Sequence, residues 1–475
     1  MVGPGSMRNL NLRIHQIMRM KSLLLLSAVA LGACSSVLDV SPTSSVASDV
    51  AIVDAVGARA ALAGAYSALT ANGLYGHTIV DWTEVLSDNL QHTGTFDDYA
   101  DADLNQLRAD NNSNTAIWNA SYDAINRDNQ ILQKVPNVKD LSAGEQSEIL
   151  GEAYFLRALE YHNLVRLYGG GTVGVPLRLE PVASAAEAGT ITRSTVAQVY
   201  TQILADLSQA QTLITAGRSQ TRQGSLGAVR ALEARVRLYQ ADYAGAEAAA
   251  AAVEAMGYTL APNFADLFDA TGNNTPEDIF RITFTPTQSN SVGFYYLPKP
   301  LGGRYEDAPT IGATGIIAAF DPASGGNIVN YHPIDTRGIW SIARSGTRTY
   351  AAKFRNSAGD EDLHVVRLGE VILIRAEALA QLNRLPEAVA EYNRLRARAG
   401  VAPDAVGTQA AVLAAIARER RLELAFEGDR WPDMVRTGQV LAYFALSGVA
   451  ATQAILPIPQ AEIDVAPGLT QNPGY

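Results

Sequence analysis

Apolar residues recur at helical spacing through much of the 475-residue chain. Residues 371–382, VILIRAEALAQL, are apolar except for Arg375, Glu377 and Gln381. A polar break, Asn383-Arg384-Leu385-Pro386, follows, and then Ala388, Val389, Tyr392 and Leu395 resume the period of a helix. Pro386 suits a first helical turn, where its missing N–H is not needed. The small residues Ala376 and Ala388 allow two antiparallel helices to come close. The same periodicity predicts helices over 49–69, 81–90, 117–132, 148–168, 194–215 and 409–427. Ser194 is the expected N-cap of its helix, and Gly169-Gly170-Gly171 stop another. Trp118 and Tyr122 fall on one apolar helix face and read as core, as does Trp431.

Residues 225–256 repeat the opening pattern at an offset of 142, which aligns Ala234 with Ala376, Leu238 with Ala380, Ala246 with Ala388 and Val253 with Leu395. Helix pairs of this tetratricopeptide-like type cannot bury an apolar face alone, so they must stack. The expected fold is therefore mostly α, with such pairs forming a superhelical scaffold around a loop-rich, aromatic-rich insertion. The scaffold is placed mainly at 49–256 and 365–440 of a single domain, 49–475, and the insertion at about 257–364. In the insertion the helical period fades and twelve aromatics cluster, among them Phe294, Tyr295, Tyr296, Tyr305, Tyr331 and Trp340. Residues 91–114 are polar and read as loop with one turn near Leu104. The tail, 455–475, is expected to be extended, because four prolines follow Leu456.

Composition narrows the class. Hydrophobic residues make up 47% and charged residues 18%, a globular balance. The net charge of −11 lacks the basic stripe of a nucleic-acid binder. Cys34 is the single cysteine, which excludes an intrachain disulfide. Lys21, an apolar run over 23–32 and Leu31-Gly32-Ala33-Cys34 form a secretory signal over 1–33, too short to span a bilayer. Translation can start at Met1, Met7, Met18 or Met20. The ending resembles a bacterial lipobox, in which Cys34 is acylated; several acyl chains anchor stably where one does not. Residues 34–48 then form a tether. Loss of the leader removes four basic residues and no acid, taking −11 to −15.

Candidate chemistry is sparse. Glu419, Glu423 and Glu427 stand at i, i+4 and i+8 and would repel on one helix row. Arg420, Arg430 and Arg436 are the nearby bases expected to neutralise them in a structural ion-pair network. Asp97 to Asp103 resembles the start of a calcium loop, but Gln106 stands where glycine is needed and Asn112 where the bidentate Glu belongs. The six histidines show no metal-ligand spacing. No catalytic triad order, P-loop or GxGxxG is present, so neither enzyme nor cofactor is expected. A glycan hydrolase would have to draw on Glu306, Asp307 and Asp335.

Several segments, in order, resemble the SusD/RagB family of outer-membrane nutrient-binding lipoproteins. They are the lipobox with LDVSPTSS, GAYSAL (64–69), EVLSDN (84–89), IWNASYDAINRDNQIL (117–132), AYFLRALEYHNLVRLYGGGTVGVPL (153–177), DLHVVRLGEVILIRAEALAQL (362–382), RERRLELAFEGDRWPDMVRTG (418–438) and LPIPQAEID to LTQNPGY (456–475). The resemblance implies a mostly α-helical fold and a non-catalytic, surface-exposed lipoprotein. Such a protein passes an oligosaccharide or other nutrient to a SusC-type TonB-dependent transporter. It implies one ligand-facing segment after EVLSDN, where Gln91, His92, Phe96, Asp98 and Tyr99 are candidates. The insertion adds Tyr305, Tyr331, Trp340 and Arg344, since sugar faces stack on aromatic rings and sugar hydroxyls bond to polar side chains. Arg337 is a weaker candidate, because Asp335-Thr336-Arg337 matches a structural D-x-R element of the family. The competing reading is a helical-repeat protein-interaction adaptor without a small ligand.

Overall fold

Side chains cap the starts of most of the longer helices in the computed structural model, which describes residues 52–182, 189–215, 221–268 and 274–475. The leader, Cys34 and the tether lie outside the described residues. In chain order the first half carries α1 (Ala55–Ala68), α2 (Thr78–Val85), strand β1 (Leu90–His92), α3 (Asp97–Asp103), α4 (Asn112–Lys134), α5 (Ala143–Tyr168), α6 (Val196–Leu213), α7 (Leu226–Tyr239) and α8 (Tyr243–Ala255). A segment of short elements follows: β2 (Asp278–Ile282), α9 (Val292–Tyr296), β3 (Asp307–Pro309), α10 (Ile316–Phe320), α11 (Thr336–Ser341), β4 (Ile342–Ser345), β5 (Arg348–Ala351) and β6 (Leu363–Arg367). Helix returns with α12 (Leu368–Gln381), α13 (Leu385–Arg398), α14 (Gln409–Glu423), α15 (Arg430–Arg436), α16 (Gln439–Ser447) and α17 (Gln460–Val465).

Asp54, Asn111, Ser142, Thr195, Ser225, Asp242 and Thr408 each accept a hydrogen bond from the backbone N–H three residues on. Each bond satisfies a donor that the start of a helix leaves free. At α6 the cap is Thr195 rather than the expected Ser194, because the Gln198 side chain accepts a hydrogen bond from the Thr195 N–H and completes a capping box. Residues 97–103 form a helix where a polar loop was expected. Asp97 and Asp98 occupy its first turn, where negative charge is favourable. The helix expected over 409–427 ends at Glu423, and the one expected over 81–90 runs from Thr78 to Val85.

The pairs α7–α8 and α12–α13 are one unit used twice. The 142-residue offset carries Ala241 onto Asn383, and both have left-handed backbone, at φ of 57° and 59°. Ala234, Ala246, Ala376 and Ala388 are completely buried, as close helix packing requires. Helix α8 packs on α12, and α14 packs on both α12 and α13, so the pairs stack. Earlier in the chain α5 lies between α4 and α6, and its C-terminal half is buried on nearly every side.

Charge ties the short-element segment to this helical frame. Strand β2 pairs antiparallel with β6, closing the neck through which the segment leaves and returns. Directly beyond it, Arg367 reaches Glu277 at 2.9 Å, Glu423 at 2.6 Å and Glu427 at 2.8 Å. Arg337 on α11 reaches Glu419 at 2.8 Å, Glu423 at 3.3 Å and Asp335 at 2.7 Å. Lys353 pairs with Glu427 at 2.8 Å, Arg396 with Glu419 at 2.5 Å, and Arg398 with Glu277 at 2.8 Å and with Glu423. None of these ten side chains is more than 10% exposed. The glutamate row is thus a structural network, but its bases are not the expected ones. Arg420 turns to Glu370, Asp429 and Asp433, Arg430 to Asp88, and Arg436 to Glu377 and Asp433. Those arginines are near in sequence but project from the helix toward other partners. Arg337 belongs to the network as well, which makes it scaffold rather than a ligand residue.

Burial alone would raise the Glu427 carboxyl, yet Arg367 and Lys353 overcome it and hold the group at about 2. The unfolded chain ionises this carboxyl near the ordinary value of about 4.3. The stability it contributes is complete above that value and is lost as pH falls through about 2. Acid titration of unfolding is expected to show this limb, and Glu427→Gln to flatten it. Arg367→Met takes one cation from each of three buried carboxylates, leaving Lys353 as the cation on Glu427, and is expected to cost about 3–5 kcal/mol in chemical denaturation.

Candidate functional site

Strand β1 brings the 91–99 segment to the insertion. It pairs antiparallel with β3, setting Gln91 opposite Ala308 and His92 opposite Asp307. The pairing continues irregularly: the Thr93 N–H donates to the Glu306 carbonyl at 2.7 Å and the Thr95 N–H to the Glu306 carboxylate at 3.1 Å. Gly94 sits so close that a Cβ would meet Glu306 Oε2 at 1.5 Å, so only glycine lets the strap lie down there.

On this frame the aromatics meet. Tyr295 on α9 stacks between His77, at 4.7 Å between ring centroids, and Tyr99, at 5.4 Å, with ring planes 21° and 19° from its own. Phe96 leans on Tyr295 at 5.8 Å and on Tyr99 at 6.1 Å. The Arg304 guanidinium lies 4.8 Å over the Phe96 ring and pairs with Glu306 at 2.6 Å. Phe294, which edges against Tyr295, is 37% exposed. Phe96 and Tyr295 are half-buried.

Tyr99 is not on the surface. It is 2% exposed, and its hydroxyl donates to the Asp81 carboxylate at 3.0 Å. Its ring supports the platform from below. His92 Nδ1 lies 3.0 Å from Asp307 Oδ1. Burial, then the nearby Asp81 charge, pushes the Asp307 carboxyl well above the carboxylate range. Burial lowers His92. Gln91 is half-exposed on β1. Asp98 is half-exposed too, and its carboxylate accepts the Ser113 hydroxyl. The rest of the resembled calcium stretch is helical, with Asp101 3.6 Å from Arg108. Among the described residues no group of three or more His, Cys, Asp or Glu is placed to hold a metal.

The insertion candidates divide. Tyr305 follows Arg304: it is half-buried, its hydroxyl donates to the Thr349 carbonyl at 2.6 Å, and its ring packs on the small core of Leu297, Tyr350 and Ala352. Its φ of 59° is a strained setting for a tyrosine, of the kind that persists where surrounding structure enforces it. Arg348 stands 5.2 Å over the Tyr305 ring. Trp340 is half-buried with Arg355 3.6 Å over its ring. Arg344 is exposed on β4. Tyr331 is 7% exposed, and its hydroxyl donates to the Gly338 carbonyl at 3.0 Å, so it packs the insertion's interior. Glu306, Asp307 and Asp335 are all buried, with protein partners.

Sequence reasoning missed Tyr295, Phe294, Arg304, Arg348 and Arg355. The run Phe294-Tyr295-Tyr296 was visible, but nothing linear shows that its middle residue meets Tyr99. A separate cavity of about 490 Å³ is lined by Trp118, Tyr122, Asn126, Arg178 and Glu462. Trp118 is core as expected, whereas Tyr122 is half-buried and faces this cavity.

Two family profiles match the chain. Residues 37–238 match one described as "Starch-binding associating with outer membrane", and residues 334–451 match that of the SusD family. The chain belongs to the SusD family. It is similar to SusD-like protein P38 of Formosa agariphila, at 27% identity over 95% of this chain and 98% of that one. It is also similar to SusD-like protein P2 of the same organism, at 26% identity over 88% and 92%. Its fold resembles that of a SusD superfamily protein from Bacteroides vulgatus, with a TM-score of 0.78, 22% identity and coverage of 89% and 99%. A laminarin-binding SusD-like protein gives a TM-score of 0.72, 24% identity and coverage of 89% and 100%. Among the described residues of this SusD-family chain no helix is long and apolar enough to cross a membrane.

Proposed function

We propose that the protein is a non-catalytic outer-membrane lipoprotein that captures an oligosaccharide at the surface. It is anchored through Cys34 and delivers the sugar to a SusC-type TonB-dependent transporter. The observation that carries this reading is the group of rings Phe294, Tyr295 and Phe96 with Arg304 over Phe96, and Tyr305 next to Arg304 in the chain. Half-buried rings offer flat apolar surfaces for sugar faces, while guanidinium and amide groups beside them offer hydrogen bonds to hydroxyls. The rings are fixed before ligand arrives, by the β1–β3 pairing and by the ion-pair network behind it, so little ordering is left for binding to oppose. The match to a starch-binding profile and the fold shared with a laminarin-binding protein support a glycan as ligand. The lipobox at Leu31 to Cys34 supports the anchor, and family membership supports the transporter as partner.

Calorimetry of the protein lacking residues 1–34 against a panel of oligosaccharides tests the capture step. Phe96→Ala and Phe294→Ala are each expected to weaken binding by about tenfold, the size of a lost stacking contact in a desolvated site, with the unfolding temperature little changed. Full retention of affinity in both variants counts against the face. Cys34→Ser is expected to shift the full-length protein from the membrane fraction to the soluble one. A protein that stays in the membrane fraction without Cys34 has some other anchor.

A further inference from the structure

The solvent-facing charge of residues 294–355, within the insertion, has the opposite sign to that of the whole chain. Between Phe294 and Arg355 there are four acids, Glu306, Asp307, Asp321 and Asp335, and each is less than 9% exposed. Over the same span Lys299, Arg304, Arg344, Arg348 and Arg355 are exposed, while Arg337 and Lys353 are buried in the ion-pair network. Between Phe294 and Arg355 a chain of net charge −11 therefore turns only cations outward, while exposed acids stand nearby at Asp97 and Asp360.

The arginines are also held in a particular way. Arg304 lies over Phe96, Arg348 over Tyr305 and Arg355 over Trp340. A guanidinium held over a ring keeps N–H donors that can meet a carboxylate or sulfate with two parallel bonds. Arg304 has one ion partner, the buried Glu306. Arg344, Arg348 and Arg355 have no ion pair among the described residues. Arg355 spends donors on two carbonyls, those of Ala352 and Trp340, both at 2.9 Å. Burial also pulls its guanidinium below the ordinary arginine range. A neutral sugar needs no such array, since hydroxyls are served as well by amides and carboxylates.

Resting on the glycan-capture reading above, we propose that the face selects an anionic oligosaccharide, whose uronate carboxylates or sulfate esters are bound by Arg304, Arg348 and Arg355. The acids facing the site lie on the other side, on α3. Asp97 is exposed, Asp98 is tied to Ser113, and Asp101 lies near Arg108. The face is thus polar along its length. It draws anionic groups to the hairpin side and leaves hydroxyls for Asp98 and Gln91.

Calorimetry of the leaderless protein with four probes decides it: an oligogalacturonate, a carrageenan-derived sulfated oligosaccharide, maltoheptaose and a laminarin oligosaccharide. One or both charged probes are expected to bind at least about tenfold tighter than the neutral ones at low salt, and to weaken as salt shortens the screening length to a few ångströms. The two charged arms separate uronate from sulfate. Arg304→Gln with Arg348→Gln is expected to lower affinity for the charged probes at least about tenfold more than affinity for the neutral ones. The salt dependence of the unmutated protein needs no variant, so a folding defect in the double variant leaves the test intact. Binding confined to neutral probes, or insensitive to salt, overturns the anionic assignment and leaves glycan capture standing. Failure of all four probes overturns both.

Discussion

Glu423 is the point on which the assembly turns. Its carboxylate takes guanidinium groups from three separate parts of the chain: Arg337 from the insertion, Arg367 from the neck strand β6, and Arg398 from helix α13. Burial would ordinarily drive such a carboxyl neutral, but three cations reverse the direction and hold it far below the carboxylate range. Buried ion pairs of this kind add little net stability over a well-packed apolar core, while breaking one is costly. Their value here is in specification, because any arrangement that slid the insertion against the helices would leave full charges unpaired in a dry interior.

The proposed ligand face inherits that specification. Nothing in the 294–309 stretch is long regular structure; α9 and β3 together span only a few residues each. What fixes it is attachment at both ends and along one side. The β2–β6 pair and the charge network hold the neck, β1 supplies a partner strand from the first half of the chain, and Glu306 bridges Arg304 to the Thr95 backbone. Rings at Phe96, Tyr295 and Tyr305 are therefore set by elements far apart in sequence. The backbone strain at Tyr305 is held in place by the same surroundings.

That distance explains what was legible from residues alone. Helices with strong period and nearby caps were readable, and the 142-residue repeat proved deep enough that its two linkers share a left-handed residue, Ala241 in one and Asn383 in the other. The role of the Glu419, Glu423 and Glu427 row was readable from its charge, because uncompensated like charges cannot be buried. Its partners were not, since Arg337 lies 86 residues from Glu423 and Arg367 lies 60 from Glu427. In the site, residue type identified aromatics but not their burial. Tyr99 and Tyr331 became supports, whereas Tyr295, passed over within an aromatic run, became the central ring. The acidic run at 97–103 looked like loop because its charges were read as solvation, when two of them stabilise a helix start.

The β4–β5 hairpin turns through Gly346 and Thr347, with Ser345 opposite Arg348. Gly346 has open space around it and left-handed backbone. No buried charge of the Glu423 cluster comes from this tip. Lengthening the turn would then cost little beyond loop closure, about 0.6 kcal/mol for each doubling of its length. The frame and the tip are energetically separate, so recognition can be rewritten at the turn by insertion while the framework that presents it stays untouched.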